Sequence, residues 1–156
     1  MRKSLFLFLL ALVCACTPDH VDSGNDGDKK RYDGDWTPMY IKNQEITFPA
    51  EGGSATATVT NYGGWYFTGA AEYAFVNNVW VLKSGTSNGA ITISKHKDML
   101  AGSWFLAYIP HGTQTSRTAD LVVVVDKNDT GAPRQLFIDV GLFDVSSCIS
   151  VTQSSE

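Results

Sequence analysis

Cys16 is the side chain in this sequence best placed to do chemistry. It directly follows Val13-Cys14-Ala15, behind the apolar run Leu5–Val13 and the cations Arg2 and Lys3. A short positive start, an apolar stretch and small residues at the end form the layout of an export signal. The run is too short to cross a bilayer, which takes about 20 apolar residues as a helix. A thiol at the first position after the cut can carry a lipid, so Cys16 is expected to be acylated and to become residue one of the mature chain.

The remaining reactive side chains are scattered. His20, His96 and His111 are the histidines, and a serine, one imidazole and an aspartate can be drawn into a triad only on paper. No Gly-x-Ser-x-Gly elbow accompanies them, and a triad is a matter of geometry. Lys95-His96-Lys97-Asp98 puts cations on both sides of an imidazole, a poor setting for a divalent ion. One leftover cysteine with two scattered histidines is not a zinc set. Asp126-Lys127-Asn128-Asp129 has oxygen ligands but not the spaced acids of a calcium loop. Asn128-Asp129-Thr130 matches the glycosylation triplet Asn-x-Thr. Glycoside hydrolysis needs two acids in one cleft, whereas Glu45, Glu72, Asp120 and Asp139 are isolated and expected on exposed strand faces. The expectation is therefore no enzyme, no catalytic residues, no metal and no cofactor.

These residues belong to three segments: a leader over 1–15, a lipidated tether over 16–35 and one domain over 36–156. The tether is rich in Asp, Gly and Ser and has only Val21 and Tyr32 to bury, too little apolar surface to offset the entropy of ordering it. Arg2 and Lys3 leave with the leader, so ten of the 12 basic residues remain against 16 acidic ones. A surface of that sign repels phosphates, and nucleic acid is not an expected partner. With Cys14 discarded and Cys16 lipidated, Cys148 has no partner for an internal disulfide.

Beyond Trp36 the pattern is strand after short strand. Ala55, Ala57 and Val59 alternate with threonines, Ile91 and Ile93 with Thr92 and Ser94, Ile149 and Val151 with Ser150 and Thr152. This period of two separates an inward from an outward face. Leu121–Val125 is apolar throughout, as a central strand covered on both faces would be. Ile46–Phe48, Trp80–Leu82, Trp104–Ile109 and Gln135–Val140 complete the set, with Ala70–Val76 a candidate for a short helical turn. Gly52-Gly53, Gly63-Gly64, Ser84-Gly85 and Gly131-Ala132-Pro133 punctuate it, which predicts an all-β antiparallel sandwich or barrel.

The 8 Phe, 4 Trp and 6 Tyr are more than a core of this size readily hides. On a strand, Trp104, Leu106 and Tyr108 share one face and Phe105, Ala107 and Ile109 the other. If the second set packs inward, Trp104 and Tyr108 form an exposed platform for a sugar face or a protein. If both faces are covered, they are core.

The Ala15-Cys16 junction resembles the lipobox of bacterial lipoproteins, which implies a lipid-anchored protein of the cell envelope, on either face of the outer membrane. The domain resembles the BACON family, an immunoglobulin-like module of Bacteroidetes lipoproteins. The resemblance rests on Ile46-Thr47-Phe48 before Glu51-Gly52-Gly53, then Ala57–Asn61 before Trp65, then Trp80, Gly89-Ala90-Ile91, Arg117-Thr118-Ala119 and the closing Ile149-Ser150-Val151-Thr152-Gln153. It departs from that pattern in the aromatic stretch Trp104–Tyr108 and in Gln135–Val140, which reads as an extra strand. The family implies an immunoglobulin-like antiparallel β-sandwich with Trp65 in its core. It also implies a non-catalytic role, as a module binding glycan or another polymer, or as a spacer contacting an envelope protein.

Overall fold

The computed structural model describes residues 37–112, 114–115 and 117–155. The leader, Cys16 and the tether over 16–35 lie outside the described residues.

The chain opens with two short strands, β1 (Ile41–Lys42) and β2 (Glu45–Phe48). Asn43 between them has φ 58°, a left-handed conformation that asparagine tolerates better than most residues. That bend sends β1 to one sheet and β2 to the other. After a turn come β3 (Gly53–Val59), β4 (Tyr66–Val76) and β5 (Val79–Gly85), then a single 3₁₀ turn, Thr86–Asn88. The short strands β6 (Thr92–Ile93), β7 (Met99–Ala101) and β8 (Phe105–Tyr108) follow. The long strands β9 (Ala119–Val125), β10 (Arg134–Leu142) and β11 (Val145–Gln153) end the domain.

One sheet has the order β1-β3-β9-β8-β7-β6 and the other β2-β11-β10-β4-β5. Every pairing is antiparallel except β2 with β11, which is parallel. In immunoglobulin terms β1-β3-β9-β8 occupy the A-B-E-D positions and β4, β10 and β11 the C, F and G positions, with β5 as an added edge. The hairpin of β6 and β7 widens the first sheet. The domain is thus a β-sandwich, one of the two forms its strand pattern predicts, with the immunoglobulin-like arrangement that the family resemblance implies.

The period of two explains the core. Leu136, Ile138 and Val140 of β10 and Ile149 and Val151 of β11 are fully buried, and meet Ala57, Val59, Leu121 and Val123 from the opposite sheet. Trp65 enters just before β4, 1% exposed, and sets its ring edge-on to Phe67 at 6.0 Å. This is the buried tryptophan expected there. Gly52 has φ 81°, and a Cβ on it would lie 2.3 Å from the Val125 carbonyl oxygen. Both the turn and the close approach of β9 therefore demand glycine at this position.

Four local readings change. Ala70–Val76 is not a helical turn but most of β4. The signal overlooked is Asn77-Asn78, at φ 50° and 65°, the backbone of a two-residue hairpin turn. Gln135–Val140 is no added strand: it lies in β10, hydrogen-bonded to both β4 and β11 at the centre of its sheet. Leu121–Val125 is covered fully on one face only, Val122 and Val124 being half-buried. Glu72, expected on an exposed face, points into the sandwich and is 3% exposed.

Candidate functional site

The second sheet turns an aromatic stripe toward solvent. In β10 the buried Leu136 and Ile138 alternate with the half-buried Gln135 and Phe137. Cross-strand partners share a face, so Gln135 opposite Tyr73, Tyr73 opposite Leu82 and Phe75 opposite Trp80 continue that outward side across three strands. Tyr73 and Phe137 meet edge-on at 5.6 Å, and Phe75 and Trp80 meet tilted at 5.2 Å. Trp80 is 40% exposed and Leu82 60%. The Asn77-Asn78 turn fixes the register that brings Phe75 beside Trp80. On the other side, β11 and β2 place Ser150 opposite Phe137, Thr152 opposite Gln135 and Thr47 opposite Thr152. The face is therefore aromatic at one side and hydroxyl-bearing at the other, with Glu45 and Asp139 its acids.

Chemically, this arrangement can stack flat apolar surface and offer short-range hydrogen bonds, without a strong field. Ring faces beside hydroxyl and amide groups match a neutral, amphipathic polymer better than an ion.

The expected platform is not formed. Alternation holds for Leu106 and Tyr108, which face outward on the first sheet, and for Phe105 and Ala107, which face inward. It fails at Trp104, which precedes β8 and turns into the domain, 4% exposed, with its ring 5.3 Å from Phe105. The Arg134 guanidinium lies 4.1 Å above the Trp104 ring. Arg134 donates from Nε to Gln153 Oε1 at 2.8 Å and from Nη2 to the Asp126 carbonyl at 2.9 Å. Tyr108 sits half-buried opposite Val122 and Met99, away from Trp104. Trp104 belongs to a polar plug between the sheets, because Arg134, Gln153 and Glu72 supply partners there that strand alternation cannot reveal.

Glu72 is the buried acid of that region. Burial pushes its carboxyl upward, but Ser84 Oγ at 2.5 Å, the nearby Trp104 indole edge and Lys83 Nζ at 3.2 Å more than offset this. Its pKa therefore rests below the ordinary value of 4.5. The Trp104 N–H closes no hydrogen bond of its own, so it acts on Glu72 as a dipole only.

The other candidates stay apart. His96 and His111 are exposed, and Ser94 Oγ donates to Asp98 at 2.6 Å rather than to an imidazole. His111 and Asp98 border a shallow hollow of about 140 Å³ with Gln114 and Pro110. Asn128 is wholly buried, donating to the Ala132 and Ser154 carbonyls at 2.9 and 2.8 Å and accepting from Thr130. It is thus a loop anchor, closed to a glycosyl group. Among the described residues no three His, Cys, Asp or Glu side chains gather as a metal set, and no helix is long and apolar enough to cross a membrane.

No protein-family model matches the chain, and no curated protein matches it. Among solved structures it is similar to an NMR structure of a protein from Bacteroides thetaiotaomicron, with TM-score 0.56 and 20% identity over 83% of this chain and 97% of that one. At that identity the likeness shows the fold alone. Looser likenesses join it to a Bacteroides ovatus GH5 xyloglucanase in complex with a XXXG heptasaccharide (TM-score 0.45, 15% identity, 75% of this chain and 19% of that one). Murine CRIg is looser still, at TM-score 0.34 and 8% identity over 76% of this chain and 96% of that one. Neither bears on function.

Proposed function

We propose that this chain is a BACON-like lipoprotein of the cell envelope, held to the outer membrane by lipid on Cys16. Its sandwich is a non-catalytic module that binds a neutral glycan or a similar polymer. The stripe of Phe137, Tyr73, Phe75 and Trp80 carries this reading. It offers three half-buried rings and the exposed Trp80 beside a hydroxyl row, on a sheet rather than on loops. The signal layout and the position of Cys16 support the anchor. The proposal gives the domain no catalytic role, since among the described residues His111 and Asp98 meet only at a shallow, open hollow.

The core cluster lies wholly between Met39 and Val151, so a soluble 36–156 fragment holds everything that folds the domain. Affinity electrophoresis of that fragment against neutral and acidic polysaccharides tests the binding. Retardation by a neutral polymer, lost in Trp80→Ala and in Tyr73→Ala, is the expected result. Retardation that survives both substitutions, or none across diverse glycans, refutes it. Palmitate labelling of the full chain, absent from Cys16→Ser, tests the anchor separately.

A second reading, contact with another protein chain, is favoured by one specific observation: β5 leaves one edge of its sheet open while exposing apolar side chains on both faces.

A further inference from the structure

Natural sheets blunt their free edges with short strands, charges, proline or bulges, because an open row of N–H and C=O groups will pair with another chain. Among the described residues β5 spans Val79–Gly85 at the end of its sheet and pairs only with β4. Val79, Val81 and Leu82 are 56%, 46% and 60% exposed, with Trp80 beside them at 40%. The strand's single charge is Lys83, which lies at the bulge between the Tyr73–Leu82 and Glu72–Ser84 pairs. Its charge is already engaged by Glu72 at 3.2 Å. The two guards present, Lys83 and the bulge that holds it, are both set to one end of the strand, and the lysine's charge is matched by Glu72.

We infer that β5 pairs antiparallel with β5 of a second copy of this chain, about a two-fold axis at Val81, joining two five-stranded sheets into one. The register follows from the hairpin. Its turn is the two residues Asn77-Asn78, so the closing pair Val76–Val79 exchanges hydrogen bonds, and alternate pairs do likewise up to Ala74–Val81. Val79 and Val81 thus spend their N–H and C=O groups on β4, and Trp80 and Leu82 turn theirs to the open side. An axis at Val81 sets Trp80 opposite Leu82 of the other copy, twice, so both pairs exchange hydrogen bonds and no outward backbone group between them is left over. Trp80 packs on a leucine, Val81 on its own equivalent, and Lys83 falls opposite Val79 rather than opposite the second Lys83. Shifting the axis by one residue would face Trp80 or Leu82 with itself, giving up the Trp80–Leu82 match.

Self-complementarity of this kind is what a two-fold interface requires of one surface patch. It is the reason for choosing a second copy over an unrelated peptide. A contact of one strand edge per copy falls below the roughly 1,200–2,000 Å² of standard specific interfaces, so a weak dimer with Kd of roughly 10–100 μM is expected. The pairing shares Trp80 with the glycan reading but rests on the strand edge, and its tests at positions 79 and 81 leave that ring in place.

Sedimentation of the 36–156 fragment from about 1 μM to 1 mM tests the dimer, a span bracketing that Kd. Mass should rise toward the dimer, and Val81→Lys, which sets two ammonium groups face to face at the axis, should raise Kd at least tenfold. Part of that loss should return in about 1 M salt, where screening is strong. In a Cys148→Ser background, Val81→Cys should cross-link to its own equivalent under mild oxidation, since directly opposed non-hydrogen-bonded residues lie about 4.5 Å apart at Cα, within disulfide reach. Val79→Cys, which faces Lys83 in this register, should cross-link at least tenfold more slowly. A fragment monomeric throughout, or one that dimerises equally well as Val81→Lys with circular dichroism unchanged, overturns the proposal. Cross-linking at equal rates from positions 79 and 81 overturns the register. Capture of an extended peptide on β5 by a monomeric fragment overturns the choice of occupant.

Discussion

Replacing Trp104 by alanine asks directly whether this ring is core or surface. At 4% exposure nearly the whole ring is out of water. An aromatic side chain buries about 200 Å², and at about 25 cal/mol per Å² that is near 5 kcal/mol. Some of the space will close on truncation, so the expected cost is about 3–5 kcal/mol. The same change strips Arg134 of the ring 4.1 Å beneath its guanidinium, which places the value in the upper part of that range. Urea unfolding of the 36–156 fragment, followed by far-ultraviolet circular dichroism, is the assay. With a slope of about 1–3 kcal/mol per M, the midpoint should fall by roughly 2 M. Trp80→Ala is the internal standard: that ring lies on an open face, 40% exposed, and its loss leaves no sealed cavity, so about 1–2 kcal/mol is expected. A cost below about 1 kcal/mol for Trp104→Ala, or equal costs at the two positions, would refute the assignment of Trp104 to the interior plug.

Two further expectations concern the acid and the turn. The folded-state pKa of Glu72 lies below its ordinary value of 4.5, so its ionised form stabilises the fold at pH values above that. The stabilisation is lost as pH falls through the lower, folded value. Unfolding midpoints between neutral pH and pH 3 should therefore drop in the natural protein, with a shallower drop in Glu72→Gln from an already lower starting point; parallel curves would contradict it. Phe143 has φ 52° and is 81% exposed, so a large ring occupies a turn position that favours glycine. Phe143→Gly should hold or raise stability by up to about 1 kcal/mol in the same urea assay, and a loss of more than that would show that the ring is engaged.

Much of the fold is legible along the chain because strand alternation is a local signal. The inward positions of β3 and β11 and the glycine turn at Gly52 follow from period and turn chemistry, whereas the burial of Trp65 follows from the family resemblance. What stays hidden depends on neighbours distant in sequence. Tyr73 and Phe137 become a pair only when β4 registers against β10, and period two says nothing of register between strands. Glu72 reads as outward because isolated acids usually are, yet Ser84 and Lys83 across the hairpin make its burial tolerable. Trp104 breaks its strand's alternation because Arg134, from another strand, offers a cation over the ring. The hairpin itself was readable in principle: Asn77-Asn78 between apolar runs is turn chemistry, obscured by the apolar stretch before it.

The first strand divides itself between the sheets, and its second half runs parallel to the last strand, Ile46 beside Val151 and Phe48 beside Gln153. When the two ends of the domain are pulled apart, the force runs along this pair rather than across it. Its hydrogen bonds are then sheared together instead of parting one by one as in a zipper. The Asn43 bend ties β1 into the opposite sheet, so the same tension presses on both layers. Force applied between Glu45 and Gln153 along these strands would therefore meet several hydrogen bonds at once.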